Sequence, residues 1–325
     1  MKTVRWGLIG AGDIVKRRVA DALRHGRGCG LVAVSRARGD RVDAFAREVG
    51  ARGYRDWRDL VRDPDVDAVY VATPVHLHAE QTIAAAQAGK DVLCEKPMAM
   101  DVEECDRMIA ACRAGGVRLG IAYYRRFYPA VRRIREILDA GEIGDPVWTQ
   151  MTAFEPFDPP PGAPRSWLLQ RSRAGGGPMA DFGCHRLEVL VHFHGPVRRV
   201  TSIVANVVLR REVEDTAAAL LQFERGPCAM LAVTHAAADR QDTIDLFGTR
   251  GSIRVASLNG GDLVVRTGDL ERRESHPPAA NVHLPLVEDF VDALQHGRDP
   301  TVDGQVGRAV AVIQDEIYAD TPPVP

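Results

Sequence analysis

The chain has 325 residues, 45% hydrophobic and 26% charged, with a formal net charge of −2. That length favours two domains over one, and the even charge balance argues against nucleic acid or a membrane surface as the main partner. No apolar run reaches the length of a membrane span, the N-terminus shows no signal-peptide plan, and six cysteines without a CxxC pair fit small core residues in a reducing cytoplasm.

Residues 4–9 form a short apolar run that stops at Gly10, the pattern of a first strand. Residues 14–24 carry helical spacing, with Ile14, Val19, Ala22 and Leu23 apolar. A strand over 31–34, a helix over 42–49 and a short connection holding Tyr54 and Trp57 follow. Residues 68–72 read as a buried strand ending at Thr73-Pro74, 79–88 as a helix ended by Gly89, and 91–94 as a strand delivering Glu95-Lys96-Pro97. A helix over 101–114 and a strand over 117–122 complete the series. Strand and helix alternating at this pitch predict a parallel sheet covered on both faces, an α/β Rossmann arrangement. Ligands of such sheets bind beyond the carboxyl ends of the strands. Gly10, Thr73, Lys96 and Tyr123 all fall just past predicted strand ends, so they are expected to line one crevice.

The first strand runs into Gly10-Ala11-Gly12-Asp13-Ile14-Val15. Gly10 permits the tight turn, and Gly12 lets the backbone approach a pyrophosphate at a helix N-terminus. Val15 replaces the third small residue of the dinucleotide fingerprint, so the helix is expected to sit slightly farther out. The second strand ends in Ser35-Arg36-Ala37-Arg38, where an NAD-specific site usually carries a carboxylate for the ribose hydroxyls. Arginine and a hydroxyl suit a 2′-phosphate, so NADP(H) is expected over NAD(H), which remains possible through stacking of Arg36 on adenine.

From Pro146 the rhythm changes. Strands are expected over 147–154, 200–209, 216–223, 228–234, 243–247, 252–255 and 263–265, and helices over 131–140, 181–193, 285–295 and 305–319. Short turns such as Glu224-Arg225-Gly226 join several strands, which suggests one large, mostly antiparallel open sheet in an α+β domain. Its outer face is a candidate surface for a homodimer or homotetramer. The division expected is 1–122 for the dinucleotide domain and 123–325 for the substrate domain, with the last helix free to pack back on the first domain.

The stretch Gly175-Gly176-Gly177-Pro178-Met179-Ala180-Asp181-Phe182-Gly183-Cys184-His185 combines close-approach glycines with a carboxylate and an imidazole one helical turn apart. Such a pair suits a proton acceptor for an alcohol under oxidation. The same residues also fit a helix cap beside a core histidine, a flexible glycine loop, or, with Glu188, three metal ligands. His76-x-His78 and His192-x-His194 invite a metal reading as well, although residues two apart on a helix do not face together, which argues against 192/194. Lys96 stands out for another reason. Only Lys2, Lys16, Lys90 and Lys96 are lysine among 42 basic residues, and lysine, unlike arginine, can give up its proton.

Taken in order, Gly10-x-Gly12-Asp13-Ile14, Ala72-Thr73-Pro74-x-x-Leu77-His78-Ala79-Glu80, Gly89-Lys90-x-Val92-Leu93-Cys94-Glu95-Lys96-Pro97, Arg125-Arg126-Phe127-x-Pro129 and the glycine-rich Asp181–His185 motif resemble the Gfo/Idh/MocA oxidoreductases nearly end to end. The resemblance implies hydride transfer between NAD(P) and a secondary alcohol of a sugar, polyol or sugar derivative. It implies Lys96, Asp181 and His185 as catalytic residues, with His185 the general base or acid and Lys96 polarising the oxygen. Tyr123, Trp167, Arg171, Asp181 and His185 would meet substrate. Gly10, Gly12, Asp13, Ile14, Ser35, Arg36, Arg38, Thr73, Pro74, His78, Glu95, Lys96, Pro97, Tyr123 and Arg126 would meet cofactor. Trp167-Leu168 departs from the Trp-Arg often found in the family, so the missing guanidinium is either supplied by Arg171 or Arg173 or absent. Glu188 in place of Asp lengthens the reach toward substrate. The set Arg165, Arg171 and Arg173 fits either an anionic substrate or a solvated basic loop. Two other functions share these motifs: a dinucleotide-binding regulator without catalysis, and redox-neutral glycoside cleavage through transient oxidation.

Overall fold

The computed structural model describes residues 3–10, 12, 15–36 and 42–319. They form two compact units, 1–124 with 281–311, and 125–280 with 312–325. The division at 122/123 read from the sequence leaves 281–311 in the second half of the chain, whereas here they return to the first unit.

In the first unit β1 (Val4–Ile9), β2 (Cys29–Ser35), β3 (Arg52–Tyr54), β4 (Ala68–Val71), β5 (Asp91–Cys94) and β6 (Leu119–Ile121) form a six-stranded sheet in the order β3-β2-β1-β4-β5-β6. Every pairing is parallel. The strand order reverses between β1 and β4, and that switch point is where such sheets take ligands. Between strands run α1 (Ala20–His25), α2 (Val42–Val49), α3 (Trp57–Arg62), α4 (His78–Gln87) and α5 (Val102–Gly115). Asp101 starts α5 by accepting from the Glu104 N–H at 2.7 Å, while the Glu104 carboxylate accepts from the Met100 N–H at 3.1 Å, and Gly116 at φ 64° ends the helix.

The segment expected as a bare connection around Tyr54 and Trp57 holds β3 and α3. Asp56 caps α3 by accepting from the Arg58 N–H at 2.9 Å, but both elements are too short to show a period. Before α1, Val15–Val19 is a π turn rather than the first turns of an α-helix. Val15, at the start of that turn, is buried. Later in the chain α9 (Leu284–His296) belongs to this unit. Phe290 lies on the sheet beside Trp6 with ring centroids 5.5 Å apart, at a point where a Cβ on Gly120 would sit 2.8 Å from its ring.

The second unit is built on eight strands: β7 (Pro146–Phe154), β8 (Val197–Ala205), β9 (Thr216–Phe223), β10 (Cys228–Thr234), β11 (Gln241–Gly248), β12 (Gly251–Val255), β13 (Asp262–Thr267) and β14 (Leu270–Ser275). Their order is β14-β13-β12-β11-β7-β10-β9-β8, antiparallel except for β7 with β10. β14 escaped the sequence reading because its residues are half-buried or exposed and it carries four charges in six positions. Side chains alternate: Ala217, Ala219, Leu221, Ala229, Leu231, Val233 and Met151 are buried on the inner face, and Ile203 and Leu220 stay 73% and 49% exposed on the outer one. α6 (Pro129–Asp139), the single turn α7 (Arg171–Ala174) and α8 (Cys184–His194) follow in this unit; α6 and α8 pack together, and α8 also meets β10. α10 (Gly304–Ala319) passes from the first unit into the second. Among the described residues no helix is long and apolar enough to cross a membrane.

Candidate active site

The loops at the carboxyl ends of the first sheet carry most of the residues singled out by sequence. Gly10 has φ +93°, and a Cβ there would lie 2.6 Å from the Ala72 carbonyl oxygen, so the β1 and β4 ends approach each other only because this residue is glycine. Gly12 differs: a Cβ on it meets no described atom within 4 Å. Nothing described in the protein itself demands glycine there. Asp13, Ile14 and Arg38 lie outside the described residues. At the end of β2 Ser35 is buried, its carbonyl taken by the Gly10 N–H at 3.1 Å, and Arg36 next to it is half-buried.

After β4, the Thr73 hydroxyl donates to Gln81 Oε1 at 2.7 Å and precedes Pro74. His78 joins this loop to the next. Its Nε2 lies 2.9 Å from the Thr73 carbonyl oxygen and its Nδ1 2.9 Å from that of Pro97. Two carbonyls favour imidazolium, but burial outweighs them and holds the His78 pKa below its ordinary value. His78 therefore acts on the two loops and presents no exposed edge of its own.

After β5, Glu95 and Lys96 are half-buried and Pro97 is buried. Glu95 Oε1 accepts from the Tyr70 hydroxyl at 2.8 Å and lies 3.5 Å from His283 Nε2. Burial pushes the Glu95 carboxyl up, but the hydrogen bond and charge of His283, the Lys96 ammonium and the Tyr70 hydroxyl prevail and hold it at about 2. A fixed carboxylate thus stands directly before Lys96. His283, whose ring packs 4.7 Å from that of Tyr124, arrives with the segment before α9, far along the chain from Glu95. No local pattern announces it. Tyr123, buried, follows β6. Lys90 is a contrast: its ammonium caps the Asp63 and Val66 carbonyls at 2.9 and 2.7 Å, a structural task.

In the second unit, the glycine run makes room for protein. A Cβ on Gly176 would lie 2.1 Å from the Tyr318 hydroxyl, and one on Gly177 2.0 Å from the Glu214 carbonyl oxygen. Glu214 is fully buried and accepts from the Gly177 N–H at 2.8 Å, the Met179 N–H at 3.2 Å and the Tyr318 hydroxyl at 2.8 Å. That clamp holds the start of a π turn over Met179–Gly183, which carries Asp181 and leads into α8 with His185 in its first turn. His185 is 2% exposed. Arg165, in left-handed backbone at φ 68°, donates to Asp181 Oδ2 at 3.1 Å while its guanidinium lies 4.6 Å over the Phe157 ring.

Other expectations for this unit change. Glu188 does not lengthen a reach toward substrate. It is fully buried and accepts from Arg126 Nε at 2.6 Å, and burial pushes its carboxyl up to about 7 against the opposing charge of Arg126. Arg126, a candidate for cofactor contact, is thus held by a carboxylate of its own unit. Of the three loop arginines, Arg165 is brought to Asp181. The Arg171 N–H donates to Glu212 at 2.9 Å and Arg173 to Gln170 Oε1 at 3.2 Å, with Trp167 half-buried between them and Arg165 in sequence. His192 is half-buried and His194 buried, burial lowers their pKa values to about 3 and about 4, and His194 Nε2 bonds the Thr149 hydroxyl at 2.8 Å. Among the described residues no cluster of three or more His, Cys, Asp or Glu is placed to hold a metal ion.

Comparison with known proteins agrees with this layout. Residues 4–123 match the model of an oxidoreductase family with an NAD-binding Rossmann fold, and residues 131–254 match the GFO/IDH/MocA C-terminal domain. The chain is 33% identical over 310 residues to 1,5-anhydro-D-fructose reductase of Ensifer adhaerens, covering 93% of this chain and 92% of that protein. It is 27% identical over 328 residues to myo-inositol 2-dehydrogenase of Thermotoga maritima, covering 95% and 94%. A levoglucosan dehydrogenase solved with NADH and levoglucosan superimposes with a TM-score of 0.90 at 26% identity, covering 98% and 97%. These matches show that the chain belongs to the Gfo/Idh/MocA oxidoreductase family and is an NAD(P)-dependent oxidoreductase of sugar or polyol CH–OH groups.

Proposed function

We propose that this protein reduces a ketone, or oxidises the matching secondary alcohol, of a sugar or anhydro-sugar, with NADP(H) preferred over NAD(H). The observation that carries the reading is the Glu95-Lys96-Pro97 loop at the end of β5, whose carboxylate is held ionised next to the lysine on the ligand side of a sheet open at Gly12. The dinucleotide would lie on the backbone at Gly10 and Gly12, beside Thr73, Pro74 and Tyr123, with Arg36 toward the ribose phosphate. When bound it supplies or accepts the hydride. Lys96 polarises the reacting oxygen, and the Glu95 carboxylate beside it orients the lysine loop. His185 takes or returns the hydroxyl proton, and Asp181 orients a neighbouring substrate hydroxyl. Trp167 and Arg171 would border the substrate. No carboxylate stands in Ser35-Arg36, which supports the cofactor preference. The anhydro-sugar class comes from the reductase relative of high coverage. The exposed Ile203 and Leu220 on the outer sheet face support a homodimer or homotetramer.

The test follows NADPH and NADH absorbance with 1,5-anhydro-D-fructose, levoglucosan and myo-inositol as probes, in the wild type, Lys96→Met, His185→Ala and Arg36→Asp. Turnover lost in the first two variants, and NADP(H) affinity lost selectively in the third, is expected. Full hydride transfer by Lys96→Met or His185→Ala sinks the mechanism. Equal dinucleotide affinities in Arg36→Asp and wild type sink the cofactor assignment. Product without net NADPH change points to transient oxidation, and dinucleotide binding without turnover of any sugar to a regulator.

A further inference from the structure

His235 lies at the end of β10, and no motif drew attention to it. It is 2% exposed, and its Nδ1 is bonded by Arg211 Nη2. Arginine has only donors, so Nδ1 must present its lone pair, and the proton of the neutral ring must then sit on Nε2. Arg211 is itself fixed, since it also donates to the Phe157 carbonyl at 2.8 Å and the Glu214 carbonyl at 3.1 Å. The ring is held on both sides, with Phe157 at 5.0 Å and Phe182 at 5.2 Å between centroids. Its own backbone N–H donates to the Asp215 carbonyl at 2.8 Å, and its carbonyl accepts from Phe157 at 3.0 Å. Held this way, Nε2 is a buried atom with no hydrogen-bond partner among the described residues, and it faces Asp181 Oδ2 at 3.9 Å. A buried donor without an acceptor is costly and is retained where it has a task.

We infer that His235 is a positioning residue for Asp181: Arg211 fixes it as the Nε2–H tautomer, and that N–H, together with Arg165, holds the Asp181 carboxylate turned for substrate. The two donors address the same oxygen, Oδ2. Contacts of this kind are often long in a free enzyme and tighten when substrate binds. The charged groups facing His235 are Asp181, Asp215, Arg211 and Arg165; burial, first, and the two arginines lower its pKa to about 4, so it stays neutral at ordinary pH. The catalytic part of this inference rests on Asp181 acting in the proposed reaction, and the tautomer does not.

The experiment therefore has two arms on the full chain. In the first, histidine labelled with nitrogen-15 is read by long-range proton–nitrogen correlation, with the His235 signals assigned by their loss in His235→Gln. The Nε2–H tautomer is expected in wild type, mixed tautomers in Arg211→Met, and a lower His235 titration midpoint in Asp181→Asn, because a carboxylate favours imidazolium. An Nδ1–H tautomer in wild type, or His235 signals and midpoint unmoved by Asp181→Asn, overturns the inference whatever the substrate. In the second arm the probe sugars are turned over by His235→Phe and His235→Gln. Loss of the donor in His235→Phe should lower kcat/KM by about ten- to hundredfold, and His235→Gln, which keeps an N–H, should recover most of it. Equal losses in both variants would mean packing alone and would refute the role. A wild type that turns over none of the sugars would refute the proposed function and leave the first arm to decide.

Discussion

Gly177→Ala isolates the clamp that presents Asp181. The new Cβ would lie 2.0 Å from the Glu214 carbonyl oxygen and 3.0 Å from its carboxyl carbon. The close neighbour is backbone, which cannot rotate away, so the glycine loop and Glu214 must separate by more than an ångström. Overpacking of this kind costs about 1–3 kcal/mol. The displacement also strains the 2.8 Å bond from the Gly177 N–H to a buried carboxylate, worth about 1.5–3 kcal/mol. Together these give roughly 3–5 kcal/mol. At about 2–4 °C per kcal/mol for a unit of this size, the second unit should melt roughly 10 °C lower. The assay is thermal unfolding followed by near-ultraviolet circular dichroism, alongside turnover of the probe sugars, which should fall with the displaced Asp181. Gly12→Ala is the control. Its Cβ meets no described atom, so stability should change by less than about 0.5 kcal/mol while dinucleotide affinity drops. A Gly177→Ala protein melting within about 2 °C of wild type would refute the clamp, since that is the shift of under 1 kcal/mol.

Arg126→Met strands the buried Glu188 carboxylate and should destabilise the second unit by about 3–5 kcal/mol in urea unfolding; unchanged stability with weakened dinucleotide binding would return Arg126 to the cofactor. Tyr318→Phe removes one of the donors on Glu214 and should cost about 1–3 kcal/mol, read as a lower unfolding midpoint. The Glu95 carboxyl, held at about 2 against an ordinary 4.5, contributes stability that is complete above about pH 4.5 and lost as pH falls toward about 2. Glu95→Gln should flatten that acid limb of the unfolding profile, and an unchanged limb would show that His283 and Tyr70 do not hold the charge.

The legible part of this protein was local. Apolar runs ending at Gly10, Thr73 and Glu95 placed the strand ends of the first unit, because in a parallel sheet buried on both faces each strand is a short block of Val, Ile and Leu. The glycines of the second unit were visible too, but not what they approach: the sequence allowed a ligand or another segment, and the structure shows Glu214 and Tyr318. β3, α3 and β14 were missed, being short and largely solvated, so no period stands out from their polar residues. The π turns before α1 and α8 were read as plain helix because both periods place apolar residues similarly over a single turn.

By itself the sequence determined the parallel dinucleotide sheet, the identity of Lys96, Asp181 and His185 as candidates, and the mixed character of the second unit. The sheet and the second unit follow from patterns within ten or twenty consecutive residues, and the candidates from the scarcity of lysine, the Asp181–His185 spacing and the family resemblance. Only the tertiary structure decided which charged groups surround the functional segments. Glu95 is kept ionised by His283, Glu188 is answered by Arg126, and Asp181 lies between Arg165 and His235. A buried charge is set by whichever group folding brings within a few ångströms, and separation along the chain carries no information about that.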